Sequence, residues 1–238
     1  MQDEYFTIVG PTDPRNPASR PIVPYGAVAR QIAHSPFRVP HAAVHVLPVR
    51  MGTGEVLLHR RSTRVRVGAG AWDTVGGHVT FELGLSLTAD GLAEASFATA
   101  MRELREELLL TLGGQPYVVP SAHVRRVGEI GGLQSGLDDP TAINVEYSTL
   151  YVAAIPETAQ AQQLFELRDG RLREWLTQEA LPWPEVVGRF SAPGAPCGDA
   201  LARILRHTGT DPALAAELDA ALTWCCGLTP VFDLPPPA

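Results

Sequence analysis

Short apolar runs alternate with polar, Gly- and Pro-rich intervals along this chain, and their spacing sets the elements. Residues 42–49 (AAVHVLPV) and 55–59 (EVLLH) are strand-like, joined by a turn at Met51-Gly52-Thr53-Gly54. Pro48 predicts that the first strand ends there or lies at an edge. A loop runs from Arg60-Arg61-Ser62 to Gly70, and Trp72 to Val75 form the next strand. Over about 94–112 the period becomes helical: Phe97, Ala100, Met101, Leu104 and Leu108 share one stripe. Two more strands follow, His123 to Ile130 and Asn144 to Ala154, around a Gly/Asp/Pro-rich loop at 131–142. Residues 171–181 read as a strand turning into a helix, with Thr177 as its N-cap. Two helices close the pattern, Asp199 to His207 and a second opened by Asp211-Pro212 and reaching about Trp224. Residues 11–40 read as an extended arm with one hairpin, and the tail at Pro235-Pro236-Pro237 as disordered.

Within the long helix, RELREELLL (102–110) places Glu103, Glu106 and Glu107 at i, i+3 and i+4. At 3.6 residues per turn all three fall on one stripe. Like charges at that spacing destabilise a helix by a few tenths of a kcal/mol per pair. An isolated Glu-Glu pair is an ordinary solvated face, ion-paired here to Arg102 and Arg105. Three carboxylates in register need an offset, and divalent cations that favour oxygen, Mg²⁺ or Mn²⁺, are natural candidates.

Composition narrows the classes. The chain has 238 residues, 45% of them hydrophobic and 19% charged, which fits a globular protein with a substantial core. Its net charge of −7 argues against a stable nucleic-acid partner, since such binding neutralises phosphates with basic side chains. All 19 basic residues are arginine, so a phosphate clamp would be built from Arg and no Lys nucleophile exists. Cys197, Cys225 and Cys226 form neither a disulfide framework nor a zinc pattern. No apolar run approaches the roughly twenty residues of a membrane span, and MQDEYFTIVG lacks the basic and apolar regions of a signal peptide. The cytoplasm is the default expectation.

The acidic run also resembles a family motif. Nudix hydrolases carry a box G-x5-E-x7-R-E-U-x-E-E-x-G-U, with U a bulky aliphatic. Glu94, seven intervening residues and Arg102-Glu103-Leu104-Arg105-Glu106-Glu107 match its centre and end, and Trp72-Asp73-Thr74-Val75-Gly76-Gly77-His78-Val79 looks like the strand and Gly-Gly turn that open it. Two departures stand out. Sixteen residues separate Gly77 from Glu94 where the pattern has five, an insertion of eleven. A surface loop absorbs that at about 1 kcal/mol of closure entropy. Leu109 replaces the Gly that caps the helix, so the helix is expected to continue through Leu110 to Gly113-Gly114.

The resemblance covers about residues 42–181. It implies an α/β fold, the Nudix α/β/α sandwich with a mixed β-sheet, preceded by the arm at 1–41 and followed by C-terminal helices at 182–238 packed on the same domain. It assigns Glu103, Glu106 and Glu107 to catalysis and, with the Gly76 backbone carbonyl, to Mg²⁺ or Mn²⁺. Arg102 and Glu94 become structural support, a salt bridge holding the box. Glu146, in NVEYSTLYVA, is the candidate for the additional carboxylate that relatives supply from outside the box; Glu129 is a weaker competitor. Arg60 and Arg61, and after them Arg64 and Arg66, could grip phosphates bidentately or form a solvated loop. His78 reads as structural, His45 and His59 as core or surface residues, and Trp72 and Trp175 as core, with Trp175 also placed where a base could stack.

The function this implies is metal-dependent cleavage of a P–O–P bond in a nucleoside diphosphate linked to another moiety. A homodimer is a family-level expectation only. Two alternatives remain open: a non-catalytic nucleotide-binding or regulatory module on the same fold, and an isomerase. LLHRRS…GAWDTVGGHV is similar to isopentenyl-diphosphate isomerases, but their cysteine before the box is replaced by Val75-Gly76, and all three cysteines lie beyond residue 196.

Overall fold

The computed structural model describes residues 5–7, 22–24, 41–63, 69–79, 89–130, 146–161 and 175–228. In chain order the strands are β1 (Tyr5–Thr7), β2 (Ile22–Pro24), β3 (His41–Arg50), β4 (Val56–Arg61), β5 (Trp72–Asp73) and β6 (Val75–His78). Helix α1 (Ala89–Glu107) follows, then β7 (Leu110–Leu112), β8 (Gln115–Tyr117), β9 (Val124–Ile130), β10 (Glu146–Ile155), β11 (Gln160–Ala161) and β12 (Trp175–Leu181). Helices α2 (Trp183–Phe190), α3 (Asp199–Thr210) and α4 (Pro212–Gly227) complete the described chain.

The main sheet runs β12-β4-β3-β10-β9 and is mixed: β3 is parallel to β10, whereas β10–β9, β12–β4 and β3–β4 are antiparallel. Strand β3 is buried from Ala42 to Val49 and β10 from Ser148 to Ile155, so their apolar runs need no alternation. One face carries the core of α1, with Val44, Val46, Tyr151 and Ala153 against Ala100, Met101, Leu104 and Leu108. The opposite face carries Leu47, Val49, Leu150 and Val152 against Phe190, Leu201, Ile204, Leu218 and Leu222 of α2, α3 and α4. The expected α/β/α sandwich is present, and the C-terminal helices form its second helical layer.

Strands β3 and β4 pair only at Val49↔Val56 and then diverge. Strand β5 pairs with β4 and β6 with β3, filling the fork. The fork explains Pro48, which neither ends the strand nor marks an outer edge. The Met51 N–H points to Ile155 of β10 and the Arg50 N–H to Glu55 on the other side. By the two-residue period the nitrogen of Pro48 faces the fork, where the missing donor costs nothing.

Three other expectations need correcting. Helix α1 spans 89–107 rather than 94–112. Leu110–Leu112 instead pair with Gln115–Tyr117 across Gly113-Gly114, whose φ values of 59° and 79° suit the tight hairpin turn with two left-handed residues. A run of leucines fits a helix or a strand, and the glycine pair decides for the hairpin. Thr177 is no N-cap; it lies inside β12, opposite Arg60. The helix starts after Pro182, with Pro184 in its first turn.

Strands β1 and β2 pair antiparallel, so the N-terminal pairing joins Ile22–Pro24 to Tyr5–Thr7, which lies before the 11–40 arm, and not to a second strand within it. The loop at 131–142, most of the insertion at 78–93, Arg64, Arg66 and the proline tail lie outside the described residues.

Candidate active site

Packing of the α1 stripe against the sheet fixes which way the acidic turn points. Glu103 is almost fully buried, Glu107 half-buried and Glu106 exposed. Arg102 Nη2 stands 2.6 Å from Glu103 Oε1, and Nη1 stands 2.7 Å from Glu106 Oε2. One guanidinium therefore bridges two of the three carboxylates and offsets their repulsion.

Against this turn lies the backbone of Gly76 and Gly77. The Gly76 N–H donates to Glu107 Oε2 at 3.1 Å. A β-carbon at Gly77 would stand 2.1 Å from Glu103 Oε1, and one at Gly76 would stand 2.5 Å from the Val44 carbonyl oxygen. Neither is among the positive-φ glycines, so glycine is required here for room and not for conformation. Strand β6 is held in place by β3, in register Val44↔Gly77 and His45↔Gly76.

The other sequence candidates are distributed differently. Glu94 is exposed on α1, more than two turns before the acidic group, while Arg102 holds Glu103 and Glu106. The Arg60 Nε–H donates to the Gly70 carbonyl at 3.1 Å, and Arg61 Nη1 lies 3.5 Å from Asp73 Oδ2. Both arginines therefore tie strand β4 and its loop to neighbouring backbone and β5. Glu129 pairs with Arg126 at 3.1 Å. Glu146 opens β10, in register with His41; its side chain lies outside the described residues. His78 ends β6 beside the glycine pair. His59 is fully buried, its Nδ1 lies 3.2 Å from Gln178 Nε2, and burial lowers its pKa to about 4. It stays neutral near pH 7. His45 is buried on β3, and Trp72 packs on Phe190 with ring centroids 6.5 Å apart.

Asp73 carries no role in the sequence reading, yet it is the buried carboxylate next to this site. Its Oδ1 accepts the N–H groups of Leu201 at 3.0 Å and Thr74 at 3.1 Å. Burial raises its pKa, against the opposing pull of the Leu201 N–H and Arg61. The one sequence signal was its place in Trp72-Asp73, directly before the box. Cys197, distant in sequence, bridges to Trp72 in space. Burial, with the charges of Asp73 and Asp199, pushes its thiol up to about 12, the reverse of an activated cysteine.

A family model of the NUDIX domain matches residues 39–192, about two-thirds of the chain. The chain belongs to the Nudix family. The match runs past the boundary at 181 read from the sequence and takes in α2. Among solved structures, the chain is similar to the MutT protein from Methanosarcina mazei Go1, with 18% identity, TM-score 0.42, and coverage of 73% of this chain and 98% of that one. It is also similar to a NUDIX hydrolase from Alicyclobacillus acidocaldarius, with 16% identity, TM-score 0.47, and coverage of 79% and 97%. A third is the NUDIX domain of Shewanella oneidensis NrtR complexed with ADP ribose, with 16% identity, TM-score 0.38, and coverage of 67% and 86%. No curated protein gives a significant match. The enzyme class expected from the box, a Nudix-type hydrolase acting on diphosphate bonds, stands.

The residues present fit the hard divalent cation that a Nudix box implies. Carboxylate and backbone oxygens are the donors such ions prefer. The missing side chain at Gly77 gives the Glu103 carboxylate the room it occupies against the backbone. The Arg102 guanidinium already acts as the local cation between Glu103 and Glu106. Among the described residues no three His, Cys, Asp or Glu side chains converge on one point, and Glu103 and Glu106 are turned to Arg102.

Proposed function

We propose that the chain hydrolyses a P–O–P bond in a nucleoside diphosphate linked to another moiety, with Mg²⁺ or Mn²⁺ held by Glu103, Glu106, Glu107 and the Gly76 carbonyl. The observation that carries this reading is the Gly76 N–H bond to Glu107, which closes the glycine pair onto the acidic turn. When bound, the cation neutralises phosphate oxygens and lowers the pKa of coordinated water.

The chain's own residues set the rest. Glu107 is steered by the Gly76 N–H and is the first candidate to orient the attacking water. Glu103 is buried and fixed in direction by the wall of Gly77. Glu106 is the exposed member of the three. Arg102 keeps Glu103 and Glu106 compatible when no cation is bound. Glu146 is proposed as the further carboxylate, from the start of β10. The anhydride is cleaved by direct attack of water on phosphorus, with no covalent enzyme intermediate. The isomerase reading has no support at Cys197, whose thiol is held protonated beside Trp72.

A mass-spectrometric screen of dinucleotides, nucleotide sugars and nucleoside triphosphates, with Mg²⁺ or Mn²⁺, tests the proposal. Glu107→Gln should lower turnover on any hit by about a hundredfold or more while the fold is kept, the scale of losing a key electrostatic group. A panel with no hydrolysis would favour the non-catalytic module, and near-normal turnover in Glu107→Gln would remove Glu107 from its role.

A further inference from the structure

Helix α3 begins without a cap of its own. Its N-cap position is Gly198, which has no side chain to offer, and Leu201 closes its first turn. The N–H at that position is the donor a capping side chain normally satisfies. Here Asp73 satisfies it from β5, at 3.0 Å across 128 residues of sequence. An anion at a helix N-terminus is also favoured by the helix dipole. Gly198 is the complement of this borrowed cap: a β-carbon there would lie 2.1 Å from Asp73 Oδ2. Trp72 fastens the same junction, donating to the Pro196 carbonyl at 2.7 Å and accepting from the Gly198 N–H at 2.7 Å.

The junction leads directly into the site. Thr74 Oγ1 donates to the Val46 carbonyl, which ties the residue after Asp73 to β3. Two residues further, Gly76 reaches Glu107. Leu201 and Gly198 lie beyond residue 192, where the family match ends.

We infer that Asp73 is a positioning residue: by capping α3 from β5 it fixes the strand that holds Gly76 and Gly77 against Glu107 and Glu103. Helix α3 is thereby part of the active unit. Only the metal arm of the test rests on the proposed hydrolysis.

The test uses the full chain as wild type, Asp73→Ala, Asp73→Asn and Gly198→Ala, with Asp211→Ala as control. Asp211 caps α4 by accepting from Ala213 at 2.9 Å and Leu214 at 3.2 Å, so its loss weakens a helix without touching β5. Two quantities are read for each: affinity for Mn²⁺ alone, by electron paramagnetic resonance, and amide hydrogen exchange over residues 75–78. Losing a cap typically corresponds to about a fivefold change, so Asp73→Ala should weaken Mn²⁺ binding and speed exchange at 75–78 about fivefold. Asp73→Asn keeps the acceptor oxygen for Leu201 but gives up the ion pair with Arg61, so it should fall between wild type and Asp73→Ala. Gly198→Ala, which displaces the carboxylate without removing it, should move both quantities in the direction of Asp73→Ala, and it carries the test if Asp73→Ala does not fold. Asp211→Ala should leave both near wild type. Unchanged exchange in Asp73→Ala and Gly198→Ala, or an equal change in Asp211→Ala, overturns the inference. Failure of the wild type to bind Mn²⁺ would overturn the metal reading instead, and exchange at 75–78 would still decide the role of Asp73.

Discussion

Gly77 and Glu103 occupy complementary space: a β-carbon on Gly77 would stand 2.1 Å from Glu103 Oε1 and 2.5 Å from its Cδ. The buried carboxylate cannot retreat into the core, so an alanine would displace it from its place beside Gly77. Gly77→Ala should fold and should lose turnover by at least about tenfold, the effect of misplacing a reacting group by about 1 Å. Steady-state kinetics with circular dichroism as the folding check decide it; wild-type turnover in a folded Gly77→Ala would show that the close fit has no catalytic consequence.

Arg102 neutralises an acidic turn that a cation would otherwise neutralise. Arg102→Ala should therefore destabilise the metal-free protein by about 1 kcal/mol, or about 2–4 °C in melting temperature for a chain of this size. Saturating Mg²⁺ should shrink that loss, because the ion takes over the charge the arginine balanced. Thermal melts of both proteins with and without Mg²⁺ make the comparison. An equal loss in both conditions would mean that Arg102 and the cation do not share a role.

Acid should destabilise the fold through His59. Its folded pKa is lowered from 6.5 to about 4, so its contribution to stability is fully present above 6.5 and is lost as pH falls toward 4. The span corresponds to roughly 3 kcal/mol as an upper bound. His123 and His207 shift the same way, and Asp73, with its raised pKa, runs opposite. Urea unfolding at several pH values should show stability declining below 6.5, with His59→Asn flattening the decline without abolishing it. An unchanged slope in His59→Asn would locate the acid sensitivity elsewhere.

Local periodicity made much of this legible. The stripe from Phe97 to Leu108 announces α1 and fixes the direction of its glutamates, and the Gly-Gly pair after a short strand announces the cradle. The end of α1 was not legible, because leucines at 108–110 suit either structure and Leu109 stands where glycine would mark the stop. Helix α2 offers only eight residues for a periodic stripe; its start is marked by Pro182 and Pro184, since proline is well placed in a first helical turn. The contact of Asp73 with Leu201 spans 128 residues and has no local signature. The pairing of Arg102 with Glu106 does have one, the i, i+4 spacing on a helix, whereas Glu103's share of the same guanidinium depends on how α1 packs.

The most direct measurement is anomalous diffraction from crystals of the full chain soaked in saturating Mn²⁺. The account predicts an anomalous peak about 2.1 Å from carboxylate oxygens of the Glu103–Glu107 turn and from the Gly76 carbonyl oxygen, with Arg102 displaced from Glu103 and Glu106. A map with no peak at that turn, and Arg102 still bridging the two carboxylates, would contradict it.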